Sequence, residues 1–203
     1  MLDVTVNIEK EISDEMIPRN QFLFHHIVFT DEDVNPLVSL PLVTLMFQNC
    51  LIPESFFKGI SDVIINLKHL FLEDNYDLKI ADVFSMLMTN ERLEYLTIFV
   101  PPRAQSAFSE YMSYTTTLTK LMLNHVERNP DVFLALVNQK TINNFVITNT
   151  RVGKTVSDGL TVLLRENKNI TRYAFTSCIF DDISSNFLLE LSKDHSLDTP
   201  LNI

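Results

Sequence analysis

Two cysteines, Cys50 and Cys178, and a histidine pair, His25–His26, are the residues of this chain best suited to nucleophilic or metal chemistry. A thiolate can attack an electrophile or hold a soft metal, but only where its surroundings stabilise the anion. Neither cysteine stands at zinc-ligand spacing from another ligand type. His25 and His26 are adjacent, so on a strand they face opposite ways and cannot share an ion. His69 and His125 lie further on, and nothing in their spacing brings them together. The acidic run Asp31–Glu32–Asp33 ahead of Pro36 reads as a solvated loop. No G-x-S-x-G, H-E-x-x-H or phosphate-loop motif occurs. Only three glycines are present in 203 residues, which leaves little for a phosphate cradle. The expectation is a non-enzymatic protein with no catalytic residues, no metal and no cofactor.

The pattern that does recur is apolar. "LKHLFLEDN" (67–75) sets Leu67, Leu70 and Leu72 three and then two apart and ends on Asn75. The same phrase appears as "LVTLMFQNC", "LEYLTIFVP", "LTKLMLNHV", "INNFVITNT" and "ITRYAFTSC". The six copies start at 42, 67, 93, 118, 142 and 170, a spacing of 24 to 28 residues. Alternation within L-x-L predicts a short strand with one buried face. The leucine three residues earlier enters the core from the preceding turn. The ninth position, where the chain must turn and backbone groups need partners, holds Cys50, Asn75, Pro101, Val126, Thr150 and Cys178. Both cysteines therefore have a structural reading.

Between the phrases, apolar residues fall at helical spacing. "PESFFKGISDVIINL", "DLKIADVFSMLMTN", "RAQSAFSEYMSY", "NPDVFLALVNQ", "VSDGLTVLLREN" and "DDISSNFLLELSK" each predict one helix. Pro53 and Glu54 suit a first turn, Asn129 a cap with Pro130 at the first helical position, and Asp181–Asp182 another cap.

A strand-and-helix unit of this length whose strand reads L-x-x-L-x-L-x-x-N/C resembles the leucine-rich repeat. The full helix in each unit, and the helix-to-strand link seen in "LLRENKNI", resemble the ribonuclease-inhibitor-like branch. The resemblance implies an α/β solenoid with a parallel sheet on the concave side and helices on the convex side. Residues 41–203 would form an array of about six repeats plus a terminal strand. Residues 1–40 would form an N-terminal cap, with "LDVTVNI" and "QFLFHHIVF" as further strands. The terminal strand is expected at Leu201 and Ile203. With no capping segment after it, the chain reads as a fragment of a longer protein, or as one whose last strand offers an edge for end-to-end self-association.

The resemblance also implies function on the concave sheet, at the third, fifth, seventh and eighth positions of each phrase. Large side chains gather in the earlier phrases: Met46, Phe71, Tyr95, Phe99 and Met122, with His69 and Lys120 among them. Aromatic and methionine side chains dominate binding energy at protein interfaces. The expected site is protein-binding: Met46, His69, Phe71, Tyr95, Phe99, Lys120 and Met122. The competing reading has these side chains packed on one another or beneath the N-terminal segment.

Composition bounds the partners. A net charge of −10 and a sequence pI near 4.9 weigh against nucleic acid and anionic membranes. No stretch is apolar for long enough to span a bilayer, and the first residues do not read as a signal peptide. Two cysteines far apart suit a reducing compartment, so the expected location is the cytoplasm. The function expected from these readings is a scaffold that binds a protein partner on the concave face. The rival is the recognition part of a multidomain regulator, such as a ubiquitin-ligase adaptor or an innate-immune receptor. "INNFVIT" followed by "LLRENKNITRYAF" also resembles the tropomodulin and leiomodin group of actin regulators.

Overall fold

The computed structural model describes residues 20–75 and 78–181, together with the backbone of 196–197. The short strands are β1 (Gln21–His25), β2 (Thr44–Gln48), β3 (His69–Glu73), β4 (Tyr95–Ile98), β5 (Lys120–Asn124), β6 (Asn144–Thr148), β7 (Arg151–Val152), β8 (Arg172–Thr176), β9 (Ile179–Phe180) and β10 (Ser196–Leu197). Eight of them form one parallel sheet in the order β1-β2-β3-β4-β5-β6-β8-β10, and β7 pairs with β9. Each strand of the large sheet thus lies beside its predecessor in the chain, with a connection running over one face between them.

The register follows the recurring phrase. Leu45, Leu70, Leu96, Leu121, Phe145 and Tyr173 sit opposite one another across β2 to β8. Phe47, Leu72, Ile98, Leu123, Ile147 and Phe175 form the next row. Phe22 and Phe24 of β1 begin the two rows, opposite Leu45 and Phe47. All these side chains join one continuous apolar core with those of the helices, as period-2 alternation on a half-buried sheet requires.

The helices are α1 (Val34–Val38), α2 (Glu54–Gly59), α3 (Ser61–Ile64), α4 (Ile80–Leu87), α5 (Gln105–Tyr114), α6 (Val132–Leu136) and α7 (Lys154–Glu166). Two differ from expectation. The helix expected over 53–67 is broken at Ile60, whose φ −93° and ψ 15° end α2 and start α3. Asn129 does not cap α6, which begins after Asp131. Its amide instead donates to Val100 O at 3.1 Å and Gln105 Oε1 at 2.8 Å, tying down the neighbouring Pro101–Pro102 loop. A buried carbonyl next to a proline-rich turn offers a stronger claim on that amide than a five-residue helix does. The acidic run is solvated at Asp31 and Glu32, as expected, but it is a 3-10 turn and not a loop: Asp31–Asp33 leads into α1, and Asp33 accepts from Thr30 N at 2.8 Å.

Polar side chains at both ends of the strands tie successive units together. At the ninth position, Asn75 Nδ2 donates to Phe47 O at 3.0 Å, and its Oδ1 accepts from Cys50 N at 3.0 Å. Cys50 Sγ reaches Phe24 O and Cys178 Sγ reaches Ile147 O, both at 3.4 Å. Thr150 Oγ1 accepts from Val126 N at 3.2 Å. Pro101 and Val126 have no side-chain donor, so this row lapses on two consecutive turns. At the helix-to-strand links, Asn90, Gln139 and Asn167 each donate to two carbonyls of the preceding unit. Immediately after the strands, His26, Asn49, Asp74, His125, Asn149 and Ser177 take positive φ of 49–57°. In five of the six phrases the eighth position is therefore a left-handed turn and not part of the strand surface; Val100, ahead of Pro101, is the exception. Asn, Asp and His tolerate that region best among residues with a side chain.

The strand expected at Leu201 and Ile203 lies outside the described residues, as do the helix of "DDISSNFLLELSK" from 182 onward and the strand of "LDVTVNI". The strand that pairs with β8 is Ser196–Leu197, with Leu197 opposite Tyr173. The spacing is therefore 24 residues, equal to that between Leu121 and Phe145, and not 28. No helix among the described residues is long and apolar enough to cross a membrane.

Candidate protein-binding face

Alternation along the strands places Met46, His69, Phe71, Tyr95, Lys120 and Met122 on the face opposite the core. Register sets His69, Tyr95 and Lys120 in one row across β3, β4 and β5. Met46, Phe71, Thr97 and Met122 form the next. Tyr95 is the hub. Its ring meets Phe71 edge-on at 4.6 Å and His69 at 6.4 Å between centroids. Lys120 Nζ lies 4.3 Å from the Tyr95 ring centre, a cation–π contact. The Tyr95 hydroxyl points at Met122 Sδ, 4.0 Å away.

The side chains do pack laterally, and each is half-buried. Beneath them Thr97 is fully covered, and its hydroxyl has no hydrogen-bond partner. Asn124, at the end of β5, is also buried, with neither amide atom paired. Such groups cost free energy wherever they lack partners.

Phe99 stands apart from the other six. Strand β4 ends at Ile98, and Phe99 enters the following turn. There its ring meets His125 at 6.3 Å and the Arg128 guanidinium at 5.8 Å. His125 in turn faces Asp74 at 3.3 Å. The expected patch is thus one cluster of six residues plus a separate turn cluster. The chain beyond Phe99 is committed to Pro101 and to the 3-10 turn Pro102–Ala104, and β4 is one residue shorter than β2, β3, β5, β6 and β8.

Two titrating groups border the cluster. Glu73 accepts from Gln48 Nε2 at 3.2 Å. Burial, reinforced by neighbouring Asp74, raises its carboxyl above the ordinary value of 4.5. His69 Nδ1 lies 2.9 Å from Thr44 Oγ1. Burial lowers its pKa, against the pull of Glu94. Neither group faces a nucleophile. Burial likewise raises both thiols, Cys50 and Cys178, which donate to carbonyls; this is the setting of an inert cysteine. His25 and His26 do not face opposite ways as they would within a strand: His26 lies past the end of β1 at φ 57°, and the two rings meet tilted at 47° with centroids 3.8 Å apart.

No protein-family model matches this chain, and no curated protein matches it. The face must be read from its own chemistry. Sequence reasoning found the six clustered residues through their side-chain type. It missed Thr97 and Asn124, which look like ordinary polar surface positions until their neighbours are seen to cover them. It also missed Gln48–Glu73, whose pairing needs the register.

Proposed function

We propose that the chain is a leucine-rich repeat array of the ribonuclease-inhibitor-like kind, and that it serves as a non-enzymatic scaffold binding a protein partner on its open sheet face. The array reading is supported by strands stacked in chain order at a period near 26 residues and by the amide ties between units. The observation that carries the binding reading is the Tyr95-centred cluster. Two aromatic rings, two methionines, a histidine and a lysine share one sheet face, and among the described residues no helix is assigned to it. Such side chains give large contact area and adaptable shape.

The test compares wild type with the Phe71→Ala/Tyr95→Ala double variant as baits in an affinity capture, alongside thermal melts. The expected result is loss of the captured partner with a stability cost of about 1–2 kcal/mol, the packing of one half-covered aromatic pair. If the double variant unfolds outright, the cluster is core and the reading falls. An unchanged set of captured proteins would overturn it equally.

A further inference from the structure

We propose that β1 is a self-association edge, where two copies of this chain join their sheets across a two-fold axis at Leu23. This surface is separate from the Tyr95 cluster and does not depend on it.

Among the described residues, β1 has a neighbour on one side only. Its even-numbered residues address β2: His26 N donates to Gln48 O at 3.1 Å, and Asn20 O accepts from Val43 N and Thr44 N. Alternation turns the backbone groups of Gln21, Leu23 and His25 toward the outer edge. An exposed edge is ordinarily protected by lysine, proline or a bulge. Here the eleven residues from Asn20 to Thr30 contain no Asp, Glu, Lys, Arg, Pro or Gly.

Among the described residues the core also ends at β1 with its covering incomplete. Along the row Phe22, Leu45, Leu70, Leu96, Leu121, Phe145 and Tyr173, all are 0–1% exposed except Phe22, which is half-covered. Leu23 is 52%, Val28 66% and Val38 43% exposed. Among the described residues these are three of the seven exposed large apolar side chains, all within the first unit.

A second copy fits this edge better than a charged partner does. Each chain carries a net charge of −10, so two copies approach favourably only through an uncharged segment. An antiparallel pair centred on Leu23 sets Leu23 opposite Leu23, Gln21 opposite His25 and Phe22 opposite Phe24. All three residues whose backbone faces outward then fall at hydrogen-bonded positions. The phenylalanines extend the core row from one copy into the other. Two five-residue strands make a small contact, below the roughly 1,200 Å² of stable interfaces, so the dimer is weak and concentration-dependent.

The test is sedimentation of the full chain up to about 200 µM, a range suited to a contact of this size. The expected result is a monomer–dimer equilibrium that Leu23→Lys abolishes, with unchanged circular dichroism. Leu23→Cys should cross-link two chains under mild oxidation, while Tyr114→Cys, at an exposed helix site, should not. A chain that stays monomeric throughout, with no cross-link beyond the control, overturns the proposal. So does a full chain that is monomeric while one starting at Asn20 dimerises, because the edge is then occupied by residues 1–19.

Discussion

Glu73 shows how one side chain on the open face makes stability depend on pH. Burial raises its folded pKa above 4.5, so across the interval between the unfolded and folded values the native state holds more protons than the unfolded state. Stability from this group therefore falls as pH rises through that interval and stays reduced above it. Glu73→Gln keeps an acceptor for Gln48 and removes the charge. The variant should be more stable than wild type in urea melts at pH 7, with the gap closing by about pH 3, below the ordinary carboxylate range. His69 works in the opposite sense: its lowered pKa costs stability as the pH drops below the ordinary imidazole value of 6.5. Residue types at the cluster were legible because Met, Phe and Tyr are out of place on a solvent face. The burial of Thr97 and the shift of Glu73 were not, since both depend on what lies one strand away.

At the scale of elements, the strands were legible and the helices less so. A strand needs only its alternation, and the recurring phrase supplied it. Beside the break at Ile60 lies a contact that sequence hides: a Cβ on Gly59 would lie 2.7 Å from the Val34 side chain. Close approach of α1 and α2 fixes a glycine there and shapes the end of the helix. Gly159 in α7 is the sharper case. Glycine inside a helix ordinarily costs about 1 kcal/mol relative to alanine, so Gly159→Ala would stabilise an isolated helix. In the fold a Cβ there would lie 2.6 Å from the Phe133 ring of α6. Gly159→Ala should therefore destabilise the protein, by about 1–3 kcal/mol as in other overpacked sites, with the loss seen as a lower urea midpoint. The left-handed residues after the strands form a regular row of His, Asn, Asp and Ser. Their common preference became visible only once the backbone showed what the eighth position does.

For the whole molecule, the consequence of stacking in chain order is that each unit is supported by its neighbours alone. Leu96 lies in the middle of its row, fully buried between Leu70 and Leu121. Leu96→Ala should cost about 2–5 kcal/mol. In hydrogen exchange, the β1–β3 and β5–β8 amides should cease to open together, because the damaged unit no longer couples the two ends. If both sides keep one common opening free energy, support is not neighbour-to-neighbour. The lapse in side-chain ties at Pro101 and Val126 falls on the turns that end β4 and β5, the middle of the sheet. Phe71, Tyr95 and Met122 stand one on each of β3, β4 and β5, so the cluster straddles the two turns where those ties lapse, while Asn90 and Asn129 tie the same units by other routes. A shift of one of these units against the next would open or pinch the spacing of these three side chains. Posture and hold would then be mechanically linked.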